Sequence, residues 1–111
     1  MATQAPLPSA LPYVSWSTAT FATIPAAQWE LVYGSLQTLK AHVQEYPGCQ
    51  GFDVFFHAEE EAAVRVHCYT IWDTPQQLEA FLERGYTFER MLADVSPDTR
   101  IERSLVMEKV F

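Results

Sequence analysis

The segment from Gly51 to Trp72 constrains this chain more than any other, because neither of its faces is suited to water. Two runs, Gly51 to Ala58 and Ala63 to Trp72, are rich in β-branched and aromatic residues and flank the acidic run Glu59-Glu60-Glu61. A connection this short joins antiparallel neighbours, so the two runs predict a hairpin. With the turn centred on Glu60, Phe52 opposes Cys68, Val54 opposes Val66 and Phe56 opposes Val64, a wholly apolar face that meets helices. The other face carries Asp53, Phe55, His57, Arg65, His67, Tyr69 and Ile71, with Asp53 opposite His67 and Phe55 opposite Arg65. A solvated face rarely gathers Phe55, Tyr69 and Ile71, whereas an interface does. A slip of one residue would exchange the faces. In this register the sheet is covered twice: by its own helices, and by a second sheet, most simply that of an identical chain.

The remaining elements follow from periodicity. Residues Met1 to Pro12 form an Ala/Pro segment with Pro6, Pro8 and Pro12, read as a flexible N-terminal tail ahead of one domain over residues 13–111. Tyr13 to Thr23 predicts a first strand. From Gln28, the residues Trp29, Val32, Tyr33, Leu36, Leu39 and Val43 recur at spacings of three and four and share one helix face, and Pro47-Gly48 stops the helix. After the hairpin, Thr74 predicts an N-cap with Pro75 at the first helical position. That second helical region carries Leu78, Phe81 and Leu82, breaks at Gly85, and resumes through Phe88, Met91, Leu92 and Val95. Thr99 to Val110 predicts the last strand. The order β-α-β-β-α-β is an α+β, ferredoxin-like plan with an antiparallel sheet and both helices on one face.

Composition removes several function classes. Seven Lys and Arg stand against 14 Asp and Glu, a net charge of -7, which disfavours nucleic acid and anionic membranes as partners. No apolar run approaches the roughly 20 residues that cross a bilayer. Two cysteines do not make a disulfide scaffold, so a reducing, cytoplasmic setting is expected. In the assumed register Cys49 and Cys68 fall on opposite faces. Gly-rich phosphate loops and nucleophile elbows are absent.

The element order resembles that of the antibiotic biosynthesis monooxygenase family. The resemblance is carried chiefly by Tyr69-Thr70-Ile71-Trp72-Asp73-Thr74-Pro75-Gln76-Gln77-Leu78-Glu79-Ala80-Phe81, a third strand ending in Trp before a short polar turn and a helix. Tyr86-Thr87-Phe88-Glu89-Arg90-Met91 and Tyr46-Pro47-Gly48-Cys49-Gln50-Gly51-Phe52 add to it. The resemblance implies a homodimer whose two sheets close an α+β barrel, with a pocket between sheet and helices. It also implies oxidation of small aromatic or quinol-type substrates by dioxygen with no cofactor, neither metal nor flavin. Haem-degrading relatives use an Asn, a Trp and a His; this chain has no asparagine, Phe81 stands at the Trp position, and Met91 and Leu92 occupy the His region. Where quinol-oxidising relatives carry helical histidines, this chain has Phe81 and Thr87.

The candidate residues follow. His67 with Asp53 is the sharpest acid–base pair, since a carboxylate fixes an imidazole tautomer and raises its basicity; the alternative is a structural cross-strand pair. Arg65 is a candidate stabiliser of an enolate or quinolate, or else an ion-pair partner. Trp16, Tyr33, Trp72 and Phe81 are candidate ring-binding residues, against the alternative of plain core packing. Tyr86, beside the break at Gly85, is a candidate gate. His57, His67 and Asp53 match no familiar metal spacing, and no metal is expected. The expected function is therefore a cofactor-independent monooxygenase acting on a small, planar, mostly apolar molecule. A non-catalytic binding module and a lactone or diketone isomerase are the alternatives.

Overall fold

The computed structural model describes residues 15–60 and 62–109. The expectations for residues 1–12, for Tyr13, Val14 and Val110, and for Glu61 lie outside them. The elements run β1 (Ser15–Pro25), a 3-10 turn (Ala26–Gln28), α1 (Trp29–Gln44), β2 (Cys49–Glu60), β3 (Ala63–Trp72), α2 (Pro75–Arg84), α3 (Phe88–Val95) and β4 (Arg100–Lys109). They build one four-stranded sheet in the order β2-β3-β1-β4, antiparallel at every pairing. This is the expected ferredoxin-like fold, with the helical layer on one face.

That face is dictated by alternation. Val64, Val66, Cys68, Thr70 and Trp72 on β3 are buried, while Arg65, His67, Tyr69 and Ile71 between them are only partly so. On β1, Trp16, Thr18, Thr20, Ala22 and Ile24 pair with the buried set and share its face. On α1 the buried stripe is Val32, Leu36, Leu39 and Val43. Tyr33, expected on that stripe, lies one residue round the helix from Val32 and is 51% exposed. The helix packs against β2 and α3, while α2 lies over β1 and β3. Trp72 stands at the centre with 0% of its surface exposed, stacked on Phe81 with ring centroids 4.8 Å apart.

The ends of the helices are held as their sequences require. Gly48 takes φ 88°, and a Cβ there would collide with the Gln77 side chain, so the chain turns into β2 only at glycine. Thr74 caps α2 by accepting the Gln77 N–H at 3.2 Å, as expected. The break at Gly85 is real, and Thr87 caps α3 by accepting the Arg90 N–H at 3.2 Å. Arg90 reaches back to the carbonyls of Leu82, Glu83 and Gly85, satisfying acceptors that the end of α2 leaves open.

Three details of the expected pairing are corrected. The β2–β3 register is displaced by two residues: Phe52 pairs with Thr70, Val54 with Cys68 and Phe56 with Val66. The strands run further towards their connection than the acidic run suggested, so β2 extends to Glu60. An even displacement preserves the faces, and the apolar partition survives. Asp53 therefore opposes Tyr69 and Phe55 opposes His67, so the expected Asp53–His67 pairing does not form. A bulge between Cys49 and Gly51 places Cys49 opposite Trp72, on the same face as Cys68 rather than the opposite one. The two thiols are free and stand four residues apart along the ladder.

Candidate functional site

Beneath α2 and α3, the helical layer and the sheet enclose a cavity of about 210 Å³. Its apolar wall is Val43, Phe52, Phe81, Leu82, Phe88, Leu105 and Val106. Its polar groups come from alternate positions of three strands and the start of α3: Thr18 and Thr20, Cys68 and Thr70, Ser104, Thr87 and Glu89. Ligand pockets more often run to about 300–1,000 Å³, so this one suits a small molecule.

The break between α2 and α3 creates the polar end. Gly85 has no room for a side chain, because a Cβ would stand 2.4 Å from the Phe81 ring. The chain therefore turns tightly against Phe81 and restarts at Thr87, which puts Glu89 in the first turn of α3. A carboxylate is favoured there by the helix dipole. Glu89 Oε2 accepts hydrogen bonds from Thr20 Oγ1 at 3.2 Å and Ser104 Oγ at 2.9 Å. One hydroxyl comes from an inner strand and one from the edge strand β4, so the carboxylate is fixed from two directions.

The other end holds a chain of hydroxyls. Trp72 Nε1–H donates to Thr70 Oγ1 at 2.8 Å, and Thr70 Oγ1 is in turn hydrogen-bonded to Thr18 Oγ1. Cys68 pairs with Thr20 across the ladder, at the Glu89 end. Burial pushes its thiol pKa well up, and the negative charges of Glu89 and Asp53 push it further the same way. It remains a neutral thiol across the physiological range.

Of the residues expected at a site, Phe81 lines this cavity and Trp72 backs it through Thr70 and Phe81. Trp16 pairs with Trp72 across the ladder and packs on the core. Tyr33 joins Trp29 and Phe56 at the α1–β2 edge, with centroids 5.9 Å (Trp29–Tyr33) and 4.6 Å (Trp29–Phe56) apart. Tyr86 lies between α1 and α3, where its backbone N–H donates to His42 Nε2 at 3.1 Å and its hydroxyl donates to Asp94. That hydroxyl bond raises the Tyr86 pKa.

His67, Asp53 and Arg65 sit on the other side of the sheet. His67 meets Phe21 edge-on at 4.9 Å and His57 at 5.9 Å between centroids. Arg65 pairs with Glu102 at 3.4 Å, and its buried Nε has no acceptor among the described residues. The same face carries Phe21, Tyr69 and Phe55, the last 61% exposed. Among the described residues, no three His, Cys, Asp or Glu side chains form a metal-holding group. No helix among them is long and apolar enough to cross a membrane.

Sequence reasoning missed Glu89, Thr20 and Ser104. An available signal was Glu89 following Phe88 directly after a helix break, since a buried Phe at the first helical position draws its neighbour against the sheet.

No family model matches the chain, and no curated protein matches its sequence. Solved structures do. A Nitrosomonas europaea protein assigned to the antibiotic biosynthesis monooxygenases is 17% identical with a TM-score of 0.65, covering 89% of this chain and 91% of its own. SnoaB, a cofactor-independent oxygenase from Streptomyces nogalater, is 11% identical with a TM-score of 0.60, covering 87% and 92%. A dimeric ferredoxin-like protein from an uncultured marine organism is 13% identical with a TM-score of 0.61, covering 88% and 97%. At these identities the likeness establishes a shared fold.

Proposed function

Starting from that shared fold, we propose that the chain is a cofactor-independent oxygenase, working as a homodimer on a small phenol or quinol held between the sheet and α2–α3. The observation that carries this reading is Glu89, an ionisable group held by Thr20 and Ser104 at the wall of a cavity whose other wall is apolar. Phe81, Phe52 and Phe88 supply flat surface for a ring. His67, Asp53 and Arg65 lie across the sheet from the cavity, so the proton acceptor in this reading is Glu89 rather than His67.

The chemistry draws its electrons from the substrate. Glu89 accepts a hydroxyl proton, leaving an electron-rich ring anion. A ring carbon that bears one hydrogen, ortho or para to the anion's oxygen, gives an electron pair to dioxygen and forms a C–O bond; that hydrogen is the one later lost with the peroxide's outer oxygen as water. The resulting peroxide takes up a proton and loses water, leaving a carbonyl. One oxygen atom is thus incorporated and the other leaves as water. The cavity's small size and apolar wall limit competing water.

The homodimer reading rests on the open face, where Phe55 is exposed and Tyr69 and Phe21 are only half-buried, and on the dimeric neighbour of the same fold. The free thiols accord with a cytoplasmic setting.

The test is oxygen uptake with a panel of one- and two-ring quinols. Glu89→Gln keeps an oxygen for Thr20 and Ser104 to donate to but cannot accept the proton. It is expected to lower kcat by about a hundredfold or more with little change in KM. Turnover that proceeds equally well without oxygen would replace this reading with isomerisation. Binding with no turnover would leave a non-catalytic module.

A further inference from the structure

The direction of one hydrogen-bond chain sets what a ligand has to offer in this cavity. Trp72 Nε1–H can only donate, and it donates to Thr70 Oγ1. Thr70 carries a single hydroxyl proton, and Thr18 Oγ1 is the side-chain oxygen it faces across the β1–β3 ladder. Both hydroxyls line the cavity, but Thr70 is buried, only 5% exposed, while Thr18 is half-buried, so a proton left for the cavity is better placed on Thr18 than on Thr70. The favoured direction is Trp72 to Thr70 to Thr18. It leaves the Thr18 proton as a donor to the cavity that Thr18 lines.

The opposite end has the opposite character. Thr20 and Ser104 both give their protons to Glu89 Oε2, and the carboxylate's remaining lone pairs can only accept. Thr18 and Thr20 are two residues apart on β1, about 7 Å along the strand, and Glu89 lies one hydrogen bond beyond Thr20. That spacing leaves room for one six-membered ring laid along the strand with an oxygen at each end.

We propose that the cavity selects a planar ring with a carbonyl at one edge and a hydroxyl at the other, the carbonyl on Thr18 and the hydroxyl on Glu89. The inference rests on the cavity assigned above and narrows its ligand to the para-hydroxycarbonyl class, including vinylogous acids and hydroxyquinones. As the hydroxyl proton passes to Glu89, the negative charge moves through the ring to the carbonyl oxygen, where the Thr18 hydroxyl meets it. Thr18 is the oxyanion donor. Thr70 and Trp72 are positioning residues, acting through Thr18.

The experiment compares three neutral probes by calorimetry at mildly acid pH: 4-hydroxybenzaldehyde, p-cresol with the hydroxyl alone, and 4-methoxybenzaldehyde with the acceptors alone. The first is expected to bind about tenfold more tightly than either of the others. Thr18→Val is expected to erase its advantage over p-cresol and to keep its advantage over 4-methoxybenzaldehyde, and Thr18→Ser to restore the first. In the parent, bound 4-hydroxybenzaldehyde shows a red-shifted, phenolate-like absorption that the Val variant loses. Equal binding of the three probes, a uniform loss in the Val variant, or no binding of any probe overturns the proposal. These are equilibrium measurements. A protein with the expected ranking but no oxygen uptake keeps the ligand class and loses the oxygenase reading. Oxygen uptake with an unchanged ranking in Thr18→Val does the reverse.

Discussion

Cys68 shows how one position can carry chemistry that the fold then silences. It is buried on the cavity wall, its thiol pKa is pushed up by desolvation, and Glu89 and Asp53 oppose a thiolate. Thiol reagents at mildly alkaline pH are therefore expected to label Cys49 in the folded protein and Cys68 only after unfolding, as mass spectrometry of the labelled peptides would show. Cys49 also titrates high, through burial, but is less enclosed. Because the folded state holds the Cys68 proton more tightly than the unfolded chain does, the stabilisation is complete below pH 9.0 and is lost as pH rises beyond it. At this scale the sequence was only partly legible. Phe81 and Trp72 stood out as large rings at apolar spacing, and both belong to the cavity or its backing. Histidine drew attention because it titrates near neutrality, yet His67 points away from the cavity. Nothing in the local sequence marks Glu89 as more than a charge near a helix start. Only the tertiary pairing with Thr20 and Ser104 distinguishes it, and neither partner is near it in sequence.

Among the elements, the α2–α3 break has the sharpest requirement. Gly85→Ala would drive a methyl into Phe81 and is expected to cost about 1–3 kcal/mol in urea unfolding, with the ligand affinity falling as Phe81 is displaced. The edge strand β4 carries a second device. A bulge near Glu102 interrupts its pairing with β1, and Glu102 gathers Thr23, Arg65 and Arg100 around it. The Thr23 hydrogen bond, helped by the two guanidiniums, lowers the Glu102 pKa below its usual 4.5. The stabilisation is present above that value and lost as pH falls through the folded-state pKa. Glu102→Gln should therefore lower the urea midpoint near neutrality and converge with the parent once the pH has fallen through the folded-state pKa. Breaks, caps and helix faces were legible because each is a local matter: Gly85, Thr74 and Pro47-Gly48 announce themselves. The bulges and the two-residue displacement of the hairpin were not, because register is decided where strands meet. Parity alone was recoverable, and parity was enough to sort the faces.

Across the whole molecule, one side of the sheet is packed by helices and the other presents Phe55, Tyr69 and Phe21 with charged neighbours. If a second copy covers this face, the parent sediments as a dimer at micromolar concentration, and Phe55→Arg shifts it to monomer without changing its helical content. A monomeric parent would refute the pairing. The order of elements was readable from the chain because it depends only on alternating periods of two and of three to four. The cavity was not, since its walls are drawn from β1, β2, β3, β4 and all three helices at once. The clasp on Glu89 joins the margin of the sheet to its middle, because Ser104 lies on β4 and Thr20 on β1. A guest seated against that carboxylate bears on both strands together. Occupancy then stitches down the border most prone to fray, and the amide hydrogens of that border become a readout of whether the chamber is filled.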